Sequence, residues 1–381
     1  MHTHLEYYRA HAISPVHQDI SNLSRHFARR GALYRLLGLL PSAFEDRNVL
    51  EVAPGGGHNS LYVASLKPHT YTLVEPNETA RGVIARLYSD PGFAHTKPEI
   101  VPLMLQAYDP ATAFDVVICE SWLGNSSEEI ALLAKLGGFV RLGGALVVTA
   151  QSPLGLMPNL IRKSLGLRLV AGETDFDRRR DLLVEAYGPH LATMKAMSRP
   201  HGDWVLDNPL NPAYCGIALS MMDVLDTLGA EFAVLSSAPR FADEWRWYKS
   251  LEVSPDDNAQ FRDAYNRNLH NFVDHLAAPW ERDPALNVAS EALARTLVEA
   301  VRRHERGDVH DVAEVLAAYD AVIASLADLD QGTLDGLHEA RRLLADPKTT
   351  IQQVAESSDY GRLFGRELQY FSLTRERPAA G

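Results

Sequence analysis

VLEVAPGGGHNSL, Val49 to Leu61, places three consecutive glycines directly behind an apolar run. Glycine loses more conformational freedom on folding than any other residue. A cluster of glycines therefore answers a requirement, either a sharp backbone turn or the close approach of a ligand. RNVLEVA, before the glycines, reads as a buried strand, and HNSLYVASL, behind them, as a helix. A glycine-rich turn from a first strand into a first helix is a nucleotide site in open parallel sheets, because the helix N-terminus and the strand edge converge there.

Outward from this turn the alternation continues. TYTLVEP reads as a second strand, ETARGVIARLY as a helix, PEIVPLML as a weaker third strand and FDVVICE as a fourth. SEEIALLAKLGGFV then reads as a helix and GGALVVTAQ as a fifth strand. Short apolar strands alternating with helices imply parallel pairing, with helices on both faces of the sheet. Residues 151–215 break the rhythm with mixed polar, aromatic, Pro and Gly content and read as an insert. IALSMMDVLDTLG follows as a helix, AEFAVLSS as a sixth strand and WRWYKSL as a seventh. From Ser254 the pattern is helical to near the end. Ahead of the first strand, ISNLSRHFARRGALYRLLGLLP carries helical spacing that stops at Gly38 and Pro41. The expected divisions are an N-terminal helical segment or lid over 1–46, a nucleotide-binding domain over 47–150 and 216–250, the insert over 151–215, and a helical region over 251–381.

Charge decides between ligands for the turn. A dinucleotide site wants G-x-G-x-x-G, with a pyrophosphate over the helix N-terminus. Here the turn is APGGGH, and its strand carries Glu51. A carboxylate repels a pyrophosphate and attracts a cationic amino-acid head group. The balance favours a ligand bearing an ammonium group.

The sequence Glu51, Val52, Ala53, Pro54, Gly55, Gly56, Gly57 resembles the signature of class I S-adenosylmethionine-dependent methyltransferases, with Ala53 standing where the family has its first glycine. Glu75 in YTLVEPN stands where the family has the acid that bridges the ribose hydroxyls. CESWLGN, Cys119 to Asn125, stands at the end of the fourth strand, where the family faces the methyl group. The resemblance covers roughly residues 30–150 and 216–250. It implies an α/β, Rossmann-like, seven-stranded mostly parallel sheet, with S-adenosylmethionine as cofactor. It also implies cofactor-binding roles for Glu51, Ala53, Gly55, Gly57, Glu75, Pro76 and Glu120. The expected activity is methyl transfer to a small polar metabolite or biosynthetic intermediate. The alternatives are an NAD(P)-dependent oxidoreductase and a non-catalytic scaffold of the same fold. Glu75 is expected in a solvent-accessible cleft.

In this architecture the acceptor site lies over the strand ends. Three stretches qualify, offering Tyr7 and Tyr8 with His17, Trp122, and His201 with Asp203 and Trp204. Aromatic rings with carboxylates cage a polar or cationic small molecule. His17 and His201 are the base candidates. The alternation in FADEWRWYKS is expected to pack one aromatic face into the core. The Asn-Pro-Pro-Tyr motif of amino-group methylases is missing, as are a Pro-Cys pair and the His/Cys spacing for zinc, so no metal is expected. Cys119 reads as a small core residue.

The net charge of −12 argues against a nucleic-acid partner. Two cysteines cannot form a disulfide framework and fit a reducing compartment. No apolar run is long enough for a membrane span, so a cytoplasmic location and no membrane partner are expected. The Ala/Leu-rich C-terminal helices are open to three roles: covering the sheet, capping the pocket, or forming a homodimer interface.

Overall fold

The computed structural model describes residues 4–13, 18–93, 96–124, 128–214, 216–250, 258–307 and 312–376. His17 and Asn125 lie outside them, as does Cys215. The chain runs through α1 (His4–Ala10), α2 (Leu23–Leu36), β1 (Asn48–Val52), α3 (Ser60–Ser65), β2 (Thr70–Val74), α4 (Glu78–Leu87), β3 (Glu99–Val101), β4 (Phe114–Cys119), α5 (Glu128–Phe139) and β5 (Val140–Gln151). It continues through α6 (Pro153–Leu169), α7 (Phe176–Ala192), α8 (His201–Asp207), α9 (Met221–Leu228), β6 (Phe232–Ala238) and α10 (Ala259–Asn268). It ends with α11 (Pro284–Arg306), α12 (Ala313–Ser325), α13 (Gln331–Ala345), α14 (Ile351–Ala355), α15 (Asp359–Arg362) and β7 (Leu368–Arg375).

The seven strands form one sheet in the order β3-β2-β1-β4-β5-β7-β6. β1 pairs in parallel with β2 and β4, β2 with β3, and β4 with β5, while β6 and β7 are antiparallel. This is the Rossmann-like α/β sheet that the strand–helix alternation implies. Val49, Leu50 and Val52 are all buried, as a central parallel strand covered on both faces requires. One face packs Val49, Tyr71, Leu73, Val116 and Ile118 against Tyr34 of α2, Leu61 of α3 and Ile84 of α4. Strand order reverses between β1 and β4, and that switch point is where open sheets bind ligands.

The chain divides into two compact units. The sheet unit comprises Leu5–Ala150, Leu219–Tyr265 and Leu368–Gly381. The helical unit comprises Met1–His4, Gln151–Ala218 and Asn266–Glu367. The expected insert and most of the expected C-terminal region thus cluster together. The insert itself is helical: α6 is buried from Pro153 through Gly166. Arg162 of α6 is fully buried. It donates to the carbonyls of Leu363 and Tyr360 at 2.9 Å each and lies 3.8 Å from the centroid of the Phe364 ring. Lys163, also fully buried, pairs with Glu305 at 2.6 Å.

The seventh strand corrects the sequence reading. WRWYKSL holds only a short 3-10 turn at Tyr248–Ser250, and Trp245 is 90% exposed, with Trp247 and Tyr248 also exposed. The period-2 alternation of these aromatics reflects neither a strand nor core packing. The true seventh strand is LQYFSLTR, in a stretch read as the tail of a helical region. Its aromatic and β-branched content pairs with β6 from Arg375 opposite Phe232 to Tyr370 opposite Ala238.

Trp204 belongs to the core of the helical unit, with its ring 6.2 Å from Tyr187 in an edge-on contact. Trp204→Ala is expected to destabilise the protein by about 3–5 kcal/mol, the cost of emptying a buried aromatic site. A urea melt reads this as a lower midpoint, and an unmoved midpoint would contradict the packing role.

Candidate functional site

The turn behind β1 is built from left-handed backbone. Ala53, Gly55 and Gly57 have φ of 55°, 58° and 77°. Ala53 donates its N–H to the Val74 carbonyl at 2.9 Å, which ties the exit of β1 to the last residue of β2. At Gly57 a Cβ would lie 2.8 Å from Cγ1 of Ile84 on α4, so that position needs glycine for packing as well as for its dihedral. Ala53 holds the same handedness with a side chain, which costs about 1–2 kcal/mol.

Glu75 follows β2 and closes this turn. Its Oε2 accepts the Gly55 N–H at 2.9 Å and its Oε1 accepts the Asn77 N–H at 2.8 Å. The residue is only 4% exposed, which corrects the expectation of an open cleft. Burial pushes its carboxyl up to about 7, although the two backbone donors pull the other way. Glu51 lies inside β1 and is likewise buried. Burial and then the Glu120 charge push it up to about 7, while the Tyr71 hydroxyl donates to its Oε2.

The N-terminal segment reaches this end of the sheet. Arg9 of α1 donates to the Pro76 carbonyl at 3.2 Å, and Asn77 Nδ2 donates to the Ile13 carbonyl at 3.2 Å. Tyr7 is buried, with its ring 5.8 Å from Tyr8 and 5.0 Å from His11.

Past β4, Ser121 is left-handed at φ 57° and donates its N–H to Thr149 Oγ1 at 2.6 Å. This fixes the bend that carries Glu120 and the half-buried Trp122. Glu120 is held by Arg30 and Tyr34 of α2, at 2.6 Å and 3.2 Å. Sequence reasoning missed both partners. The available signal was a cation on the apolar stripe of α2, since His26, Arg30 and Tyr34 recur at every fourth residue and all are buried.

The sheet unit therefore brings together Tyr7, Tyr8, Glu51, Ala53, Gly55, Gly57, Glu75, Pro76, Glu120 and Trp122. His201, Asp203 and Trp204 are on α8 of the helical unit, with His201 and Asp203 half-buried. Cys119 is fully buried, as a core residue would be. Among the described residues no group of His, Cys, Asp or Glu could hold a metal ion, and no helix is long and apolar enough to cross a membrane.

No family model and no curated protein matches the sequence. The structure is similar to solved methyltransferases. The CcbJ methyltransferase of Streptomyces caelestis is 22% identical over 33% of this chain and 50% of its own, with a TM-score of 0.28. The N-methyltransferase NodS of Bradyrhizobium japonicum is 16% identical over 36% of this chain and 74% of its own, with a TM-score of 0.30. Magnesium protoporphyrin IX methyltransferase of Synechocystis, solved with bound SAM, is 13% identical over 38% of this chain and 69% of its own, with a TM-score of 0.29. The chain spans about half the length of the first solved structures it matches. What they share with it is the Rossmann-like sheet of class I S-adenosylmethionine-dependent methyltransferases.

Two outcomes follow from the turn and its carboxylates. Ala53→Gly is expected to stabilise the fold by about 0.5–1 kcal/mol, the relief of left-handed strain less the added entropy of glycine. Gly57→Ala is expected to destabilise it by about 2–4 kcal/mol, through both the dihedral and the Ile84 contact. Paired denaturation curves test the opposite signs. The second outcome concerns pH. Glu51 and Glu75 bind protons more tightly in the folded chain than at the ordinary value of 4.5. Between pH 4.5 and 7 the native state thus holds more protons than the unfolded state, and the contribution of these groups to stability falls as pH rises. Glu51→Gln is expected to flatten that slope, and an unchanged slope would count against the raised value.

Proposed function

We propose that the protein is an S-adenosylmethionine-dependent methyltransferase acting on a small polar metabolite or biosynthetic intermediate. The observation that carries this reading is the pair of buried carboxylates, Glu51 and Glu75, flanking a left-handed glycine turn at the strand-order reversal. Each carboxyl is pushed toward neutrality by burial and gains from a ligand that brings hydrogen-bond donors or positive charge. S-adenosylmethionine brings both, whereas a dinucleotide would set its pyrophosphate against two acids. The residues fit the cofactor. Glu75 would take its hydroxyl donors, Gly55 and Gly57 leave the backbone bare for close approach, and Glu51 supplies the negative field for a cationic head group.

Bound there, the cofactor supplies a methyl group already activated on a sulfonium. The chain then has to orient the acceptor and keep water out, and that chemistry leaves a plain sequence signature. In this reading Tyr7, Tyr8 and Trp122 are the acceptor-facing aromatics of the sheet unit. The segment containing Arg9 and Ile13, tied to Pro76 and Asn77, acts as the cover.

S-adenosylhomocysteine is expected to raise the melting temperature by mass action, whereas NAD and NADP are not. No shift at millimolar ligand would end the cofactor assignment. Binding of S-adenosylmethionine at pH 7 is expected to release protons, because a cation beside Glu51 and Glu75 lowers their affinity for protons. Calorimetry in buffers of different ionisation enthalpy measures the release. Glu75→Gln is expected to weaken cofactor binding by about 1.5–3 kcal/mol, the scale of a charge-assisted hydrogen bond. The amide keeps one oxygen for the turn, which Glu75→Ala would not.

A further inference from the structure

Glu120 sits just past β4, where α2, β4 and β7 converge. Its Oε1 accepts from Arg30 Nη2 at 2.6 Å and from the Tyr34 hydroxyl at 3.2 Å. Tyr370 of β7, opposite the last residue of β6, adds its hydroxyl to Arg30. The Glu120 side chain is only 9% exposed, yet its Oε2 has no hydrogen-bond partner among the described residues.

A purely structural Arg–Glu pair would use the guanidinium fork, with two nitrogens on two oxygens. Here only one oxygen is engaged, and Arg30 Nε is likewise without a partner among the described residues. A buried carboxylate oxygen left without a donor is costly unless something arrives to fill it. Arg30 balances the Glu120 charge, and the nearby Glu51 adds negative rather than positive field. An incoming anion therefore finds no uncompensated cation, whereas an N–H or O–H finds an acceptor.

We propose that Glu120 Oε2 is the anchor for the methyl acceptor, and that the acceptor presents an amine or hydroxyl hydrogen to it rather than a carboxylate or phosphate. This rests on the methyltransferase reading and moves Glu120 from the cofactor set to the acceptor set. Arg30, Tyr34 and Tyr370 are positioning residues that hold Oε1 so that Oε2 stays turned away from the pair.

The full-length protein saturated with S-adenosylhomocysteine is probed by ligand-observed NMR with matched small molecules, benzylamine against benzoate and phenol against anisole. Benzylamine and phenol are expected to bind, and benzoate and anisole are not. Glu120→Gln is expected to weaken benzylamine binding tenfold or more while the calorimetric affinity for S-adenosylhomocysteine stays within twofold. Should that variant not fold, Glu120→Asp, which keeps the charge but shortens the reach, is expected to show the same loss. Benzoate binding as well as benzylamine, silence from every probe, or benzylamine affinity unchanged in a folded variant would each overturn the assignment. A purely structural ion pair would lower the melting temperature and leave probe binding alone. Failure of the unaltered protein to bind S-adenosylhomocysteine would instead overturn the cofactor reading.

Discussion

The Glu75 carboxylate joins two strand exits. One oxygen takes the Gly55 N–H from the turn behind β1, and the other takes the Asn77 N–H at the start of α4. Three left-handed residues leave the turn without the regular ladder that would satisfy its amides, so a fixed acceptor must stand in for it. Burying that acceptor pushes its carboxyl toward neutrality. The arrangement holds because the neighbouring backbone is pinned as well: Ala53 donates to Val74, and Glu75 donates its own N–H to Val101 of β3. Three strands are locked together at the edge where their carbonyl ends meet. The same lock leaves Glu51 and Glu75 poised between two protonation states, a useful condition for a site that waits for a cation.

The helical unit solves a related problem with the opposite charge. The Arg162 guanidinium is enclosed, and its hydrogen bonds go to the carbonyls of Leu363 and Tyr360, to Asn159 and to His190. The Phe364 and Tyr360 rings take its faces. The cost of burying a cation is met by dipoles and π-systems. His190 beside it is pushed down to about 3, by burial first and the Arg162 charge second, and so stays neutral across ordinary pH. One cation thereby fixes α6 against the segment that runs into β7 within that unit.

The sheet was legible because its strands obey a local rule. Val49, Leu50 and Val52 form an unbroken apolar run, as do the residues of β4 and β5, and such runs declare parallel strands buried on both faces. The glycine turn and Glu75 were legible from spacing. What the sequence hid was long-range. Arg30 meets Glu120 across ninety residues, and nothing in either neighbourhood announces the other. Tyr370 joins them from a strand concealed behind a helical stretch. WRWYKSL carried a better local strand signal than its structure honours, because alternation speaks only of faces and not of a partner to pair with. The burial of Glu75 was likewise invisible, since burial depends on α1 and α4 arriving at one end of the sheet.

The position of β7 bears on how the chain is made. It lies between β5 and β6, yet in chain order it follows nearly all of the helical unit. While synthesis proceeds from the N-terminus, β1 through β5 can assemble from contacts already delivered. β6, by contrast, emerges with no neighbour on the sheet. The outer edge of β5 then presents unpaired N–H and C=O groups until residues 368–375 are delivered, the kind of edge that templates aggregation. Closing it needs a pairing between segments about 220 residues apart, a slow class of contact to form. The sheet is thus completed last at its middle, and a ribosome stalled anywhere in the helical stretch would hold a chain with an open seam.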